Sequence, residues 1–159
     1  MSRAAWRIAA ETPGYPADDM TGEGARRSGG RWNPAGAAAI YASESRALAC
    51  LETLVHLKAF GLPLNRYLVR IDIPDDLWAA AERIEASNAP VGWDAMPVGI
   101  SSIAFGTAWI ARGTACLLLV PSAIVPDEQN VLINPAHGDA GRLTARKVRR
   151  WLYDPRLTG

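Results

Sequence analysis

The order of apolar and polar positions divides the chain into short blocks. "RYLVRIDIP" alternates, with Tyr67, Val69, Ile71 and Ile73 on one face and Leu68, Arg70 and Asp72 on the other. That pattern predicts a strand ended by Pro74. "AWRIA" predicts a short first strand, "AAAIYAS" a short buried one, "ACLLLVPSAIV" a buried strand interrupted by Pro121, and "QNVLINP" another of about four or five residues. Helical spacing runs from about Glu44 to Ala59, with Ser43 as N-cap, Glu44 in the first turn, and Gly61 and Pro63 beyond its end. "DDLWAAAERIEA" predicts a second helix with acidic residues at its start. "SSIAFGTAWIAR" predicts a third, capped by Gly113. "SNAPVGWDAMPVG" reads as a loop. So does "TPGYPADDMTGEGARRSGG", whose length in a compact domain marks a functional or disordered segment. The tail "RLTARKVRRWLYDPRLTG" has no period that separates helix from extended chain. Strands and helices follow one another without a βαβ rhythm. The expected fold is therefore α+β: a single compact domain over residues 1–159, with a mixed, mostly antiparallel sheet and flanking helices.

Composition narrows the function classes. The 159 residues are 49% apolar, enough for one substantial core, and 17 basic side chains face 16 acidic ones. A protein that coats nucleic acid carries a basic excess, so direct nucleic-acid binding is not expected. "ARKVRR" is a local basic run of the kind that usually forms a solvated face. Cys50 and Cys116 sit in apolar runs without metal-like spacing, and His56 and His137 have no ligand-like partners. Buried free thiols, a reducing cytoplasm and no metal site are expected. The N-terminus has neither the apolar core of a signal peptide nor a span long enough for a membrane. There is no dinucleotide-binding fingerprint of the G-x-G-x-x-G type and no Walker loop.

A few residues could carry chemistry. On a helical wheel Leu48, Leu51 and Val55 form a stripe, Glu52 lies at its edge, and His56 sits one turn on along the same rim. A carboxylate there is either a site residue or a solvated boundary glutamate. In "SGGRWNPAG" a Gly-Gly pair precedes Arg31. Glycines let a backbone approach a ligand and a guanidinium can grip phosphate through two bonds, but a surface arginine in a turn is an equal reading. Trp32 reads as a core anchor and Asn33-Pro34-Ala35-Gly36 as a turn. Tyr41 ends a strand just before the Glu52 helix, as a core residue or a ligand platform. Ser122 follows Pro121, where its hydroxyl could bond a ligand or cap the strand. No G-x-S-x-G elbow surrounds it. Asn130 and Asn134 bracket "VLI", where bonding to turns is the default role.

"GGRWNPAGAAAIYAS…ALACLETLVHL", "VPSAIV", "NVLINP" and "YDPRL", in that order, resemble the RES domain, a family named for its arginine, glutamate and serine. The resemblance covers nearly the whole chain. It makes Arg31 the family arginine, Glu52 the glutamate, Ser122 the serine and Tyr41 an active-site tyrosine. Arg7 falls at an early arginine near the ligand. It implies a fold similar to ADP-ribosyltransferase toxins and a toxin of a bacterial toxin–antitoxin pair. Such a toxin binds NAD as substrate and breaks its nicotinamide–ribose bond. The ADP-ribose passes to a protein target or to water or phosphate, and an antitoxin protein fills the active-site cleft. The chemistry is consistent: cleavage develops positive charge on the ribose, which a carboxylate such as Glu52 can stabilise directly or through a ribose hydroxyl. Arg31 would hold the pyrophosphate or orient the nicotinamide ribose. Tyr41 would offer a stacking face, and Ser122 would bond the cofactor or support Glu52. An inactive NAD- or antitoxin-binding module is the alternative.

Overall fold

The computed structural model describes residues 1–57 and 61–158. Seven strands form one sheet: β1 (Ser2–Ala10), β2 (Ile40–Ser43), β3 (Arg66–Pro74), β4 (Glu82–Arg83), β5 (Leu117–Pro121), β6 (Gln129–Ile133) and β7 (Thr144–Arg150). Their spatial order is β4-β5-β6-β2-β1-β3-β7. Every pair is antiparallel except β4 with β5, so the sheet is mixed and mostly antiparallel, as expected. The helices are α1 (Glu23–Ser28), α2 (Arg46–Leu54), α3 (Asp75–Ala79) and α4 (Ile100–Arg112).

Alternation along the strands builds the core. Val69, Ile71 and Ile73 of β3 join Ile40, Leu117, Leu119, Val131 and Ile133 on one face. Leu68 turns to the other face and packs with Trp6 and Ile8 of β1 and Ala49 of α2. Leu118, Val120 and Leu132 meet Trp32, Trp93 and Trp109 in a further cluster. Trp32 is thus the anchor its sequence suggested. It stacks on Trp93 with centroids 6.5 Å apart and meets Phe105 edge-on at 6.0 Å.

Four expectations change. The α2 helix starts later: Ser45 is the N-cap and accepts from Leu48 N, because Ser43 is held in the β2 ladder opposite Asn130. Val55 and His56 form a turn, and the expected continuation over 58–59 lies outside the described residues. The second predicted helix stops at Ala79, since Glu82 and Arg83 pair with Leu118 and Leu119 of β5, a long-range ladder that overrides local helix preference. The long N-terminal loop contains α1, and the ambiguous tail is the edge strand β7.

Candidate functional site

The α2 helix turns a different face inward from the one its wheel suggested. Leu48 and Ala49 are buried, whereas Leu51 and Val55 are 38% and 56% exposed. Leu48, Ala49 and half-buried Glu52 therefore share the inward side, and His56 is exposed. Glu52 stands within that side rather than at its rim. Thr53 beside it bonds the Tyr153 hydroxyl at 2.7 Å, so the C-terminal segment holds α2 in place.

The Glu52 carboxylate is fixed at one oxygen. Ser122 Oγ donates to Oε1 at 2.6 Å and Asn130 Nδ2 donates to the same oxygen at 2.7 Å. The fully buried Ser122 hydroxyl in turn accepts from the amides of Ile124 and Val125, at 3.0 and 3.1 Å. Ser43 Oγ donates to Asn130 Oδ1 at 2.7 Å. Among the described residues no donor reaches Oε2. Helix α2, strand β6 and the residue just after β5 thus meet at one carboxylate, with Ser43 of β2 behind Asn130. The sequence pointed to Glu52 and Ser122 but not to Ser43 or Asn130. Asn134 keeps the expected turn role, accepting from Ala136 N.

Tyr41 leaves the same face of β2 as Ser43, about 7 Å along the strand. Its hydroxyl accepts from Trp32 N at 3.0 Å and donates to Asn33 Oδ1 at 2.5 Å. Asn33 is fully buried, and its Nδ2 donates to the carbonyls of Ala25, Pro34 and Ala37. The turn expected over residues 33–36 is therefore stitched from inside. A Cβ on Gly30 would lie 2.7 Å from the Tyr41 hydroxyl and 2.9 Å from Asn33 Oδ1. Gly30 is small because a tyrosine and an amide occupy its space, while Gly29 supplies a φ of +70°. Burial raises the Tyr41 phenol above its ordinary value, so it stays protonated.

Arg31 makes no hydrogen bond to Glu52, Tyr41 or Ser122. Its Nη1 donates to the carbonyls of Trp93 at 2.9 Å and Ala95 at 3.0 Å, and its Nη2 meets Met96 Sδ at 3.0 Å. It ties the loop at 29–36 to the loop at 93–96. Arg7 lies on β1. Its Nε is buried without a partner, and burial pushes its guanidinium down from the ordinary value, against the charges of Asp19 and Tyr15. β1 and β2 share a single ladder pair, Trp6 with Ser43. Arg7, Tyr15, Asp19 and Tyr41 line a cavity of about 40 Å³. A second space of about 320 Å³ is lined by Gly29, Gly30, Asn33, Val98 and Ile103. Glu52 lines neither of these two spaces.

Burial pushes Cys116 up to about 11 and raises Cys50 as well. Cys116 is buried as expected, whereas Cys50 is only partly so. Among the described residues no three His, Cys, Asp or Glu side chains gather as metal ligands, and no helix is long and apolar enough to cross a membrane.

The family model described as the RES domain matches residues 4–155. A Prs ADP-ribosylating toxin of Sphingobium sp. (strain YBL2) is 59% identical over 157 residues, covering 99% of this chain and 98% of that protein. A protein named Toxin Res of Yersinia enterocolitica is 37% identical over 144 residues, covering 90% of this chain and 93% of that protein. The crystal structure of the M. tuberculosis MbcT-MbcA toxin-antitoxin complex matches with a TM-score of 0.60 at 22% identity, covering 99% of this chain and 87% of that one. That likeness extends to the fold, and the sequence matches run nearly end to end: the chain belongs to the RES domain family.

Proposed function

We propose that this chain is a toxin that binds NAD as substrate, breaks its nicotinamide–ribose bond and passes the ADP-ribose to a protein. The observation that carries the chemistry is the Glu52 carboxylate, held at Oε1 by Ser122 and Asn130, with Oε2 left without a donor among the described residues. A preorganised negative group is what a ribose developing positive charge requires. Fixing one oxygen leaves the other to accept from a ribose hydroxyl or to face the charge itself. Nicotinamide leaves as a neutral molecule, so no second carboxylate is needed as general acid. Ser122 has its lone pairs engaged by two amides and its proton directed at Glu52, which favours support of Glu52 over direct contact with substrate.

The remaining residues supply binding. The orphaned Nε of Arg7 fits an anionic or carbonyl partner brought by a ligand. Arg31 suits the pyrophosphate, while its bonds to the Trp93 and Ala95 carbonyls set the position of its guanidinium. The Tyr41 hydroxyl is engaged by the turn, which leaves the ring as the part able to stack on a base. Protein transfer is favoured over hydrolysis or phosphorolysis because the 59% identical relative is named as ADP-ribosylating Prs. The structural relative is held in a toxin–antitoxin complex, which favours a cognate antitoxin as this chain's partner.

The test is incubation with NAD labelled in its adenylate phosphate, with purified Prs, with cell extract, and alone. Label on Prs is expected. Free ADP-ribose from the chain alone, with no labelled protein, would make it a hydrolase, and a phosphate requirement would make it a phosphorylase. No nicotinamide release in any arm would leave only a binding module. Expression alone is expected to arrest growth, and co-expression of the neighbouring antitoxin to restore it.

A further inference from the structure

We propose that Asn130 is the positioning residue of the Glu52 carboxylate, with Ser43 fixing the orientation of its amide. This rests on the reading of Glu52 as the group that meets the ribose. Asn130 sits on β6 between its ladder partners Ser43 of β2 and Val120 of β5. Two residues further on, Leu132 of the same face enters the tryptophan cluster. Asn130 therefore ends an apolar stripe where α2 brings in Glu52.

The donor and acceptor inventory leaves little freedom. An amide NH2 only donates and an amide oxygen only accepts. Ser43 Oγ lies 2.7 Å from Oδ1 and Glu52 Oε1 lies 2.7 Å from Nδ2. A flipped amide would set its oxygen against the carboxylate oxygen, so Nδ2 must face Glu52. The Ser122 hydroxyl accepts from two amides and has one proton, which points at Oε1. With Ser122 alone the carboxylate could rotate about a single hydrogen bond. A second donor from a different strand fixes its plane, and with it the place of Oε2. Asn130 has no direct part in bond breaking. It holds the reacting oxygen where the ribose must arrive, and such alignment is worth large factors in rate.

The test measures steady-state nicotinamide release in two backgrounds. In the unaltered chain Asn130→Ala is expected to lower kcat by about ten- to hundredfold, with a much smaller change in KM for NAD. Asn130→Asp keeps an acceptor for Ser43 but turns a donor into a second carboxylate facing Glu52, and should fall below Asn130→Ala. In the Glu52→Gln background Asn130→Ala should cost less than about twofold, because a residue acting through Glu52 has nothing left to position. Ser43→Ala should follow the same pattern with a smaller loss, and it supplies the test if Asn130→Ala does not fold. Unchanged kcat in Asn130→Ala, or equal losses in both backgrounds, overturns the proposal while NAD cleavage stands. Absence of cleavage by the unaltered chain overturns the functional reading and this proposal together.

Discussion

The guanidinium of Arg31 bridges two loops that lie far apart in sequence, and a lysine cannot reproduce that bridge. A single ammonium can hold one carbonyl but not the fork that spans Trp93, Ala95 and Met96. Arg31→Lys is expected to speed amide exchange at 93–96 and to lower NAD turnover by roughly tenfold, equivalent to about 1.4 kcal/mol. A rise in KM would place the phosphate on Arg31, whereas a fall in kcat alone would assign it to loop placement. Normal exchange and normal turnover would make it a dispensable surface contact. At this scale the sequence showed what local patterns can show. Glu52 stood out because it lies at the edge of an apolar helix stripe, and Trp32 because it is a large aromatic beside a turn. Asn130 did not stand out, since its partner lies 78 residues away and an asparagine beside a strand looks like a turn residue. The Gly29-Gly30 pair was legible as a close approach, but the approaching groups include Tyr41 and Asn33 of the chain itself.

Packing of α4 onto the Arg31 loop depends on Gly106, which is fully enclosed against the Trp32 backbone. A Cβ there would overlap the Trp32 carbonyl oxygen, and neither backbone can yield without moving the helix. Gly106→Ala should therefore destabilise despite its better helix propensity, by about 1–3 kcal/mol or more. The check is the urea midpoint at constant m-value. An unchanged or higher midpoint would show that α4 can shift freely away from Trp32. α4 and β3 were readable because each has a buried face that writes its period into the sequence. β7 was not: nearly all its side chains are exposed at the sheet edge, so no alternation is imposed. The α3–β4 boundary was equally hidden, because it is set by pairing with β5. α2 was found, but its inward face was misassigned since Leu51 and Val55 are apolar yet exposed.

Across the whole molecule, exposed ion pairs brace the periphery. Lys147 of the edge strand meets Glu11 at 2.7 Å, Arg142 meets Asp76 at 2.8 Å, and Arg26 and Arg27 both hold Glu23 within α1. Hydrogen bonds from these cations hold Glu11, Asp76 and Glu23 below their ordinary values, Glu23 at about 2. A depressed folded value means that the unfolded chain takes up protons first. The contribution of Glu23 is full above its ordinary 4.5 and is lost as pH falls through about 2. The urea midpoint should accordingly fall between pH 6 and pH 3, and less steeply in high salt, which screens exposed pairs. A flat profile would mean that these pairs add nothing to the folded state. If NAD cleavage is centred on Glu52, Glu52→Gln must slow it. NAD affinity by calorimetry and nicotinamide release should be measured on the same folded sample. Folding and NAD binding should be retained, with release slowed by about a hundred- to thousandfold, or roughly 3–4 kcal/mol. Near-unaltered nicotinamide release from a folded Glu52→Gln chain would contradict this role of Glu52.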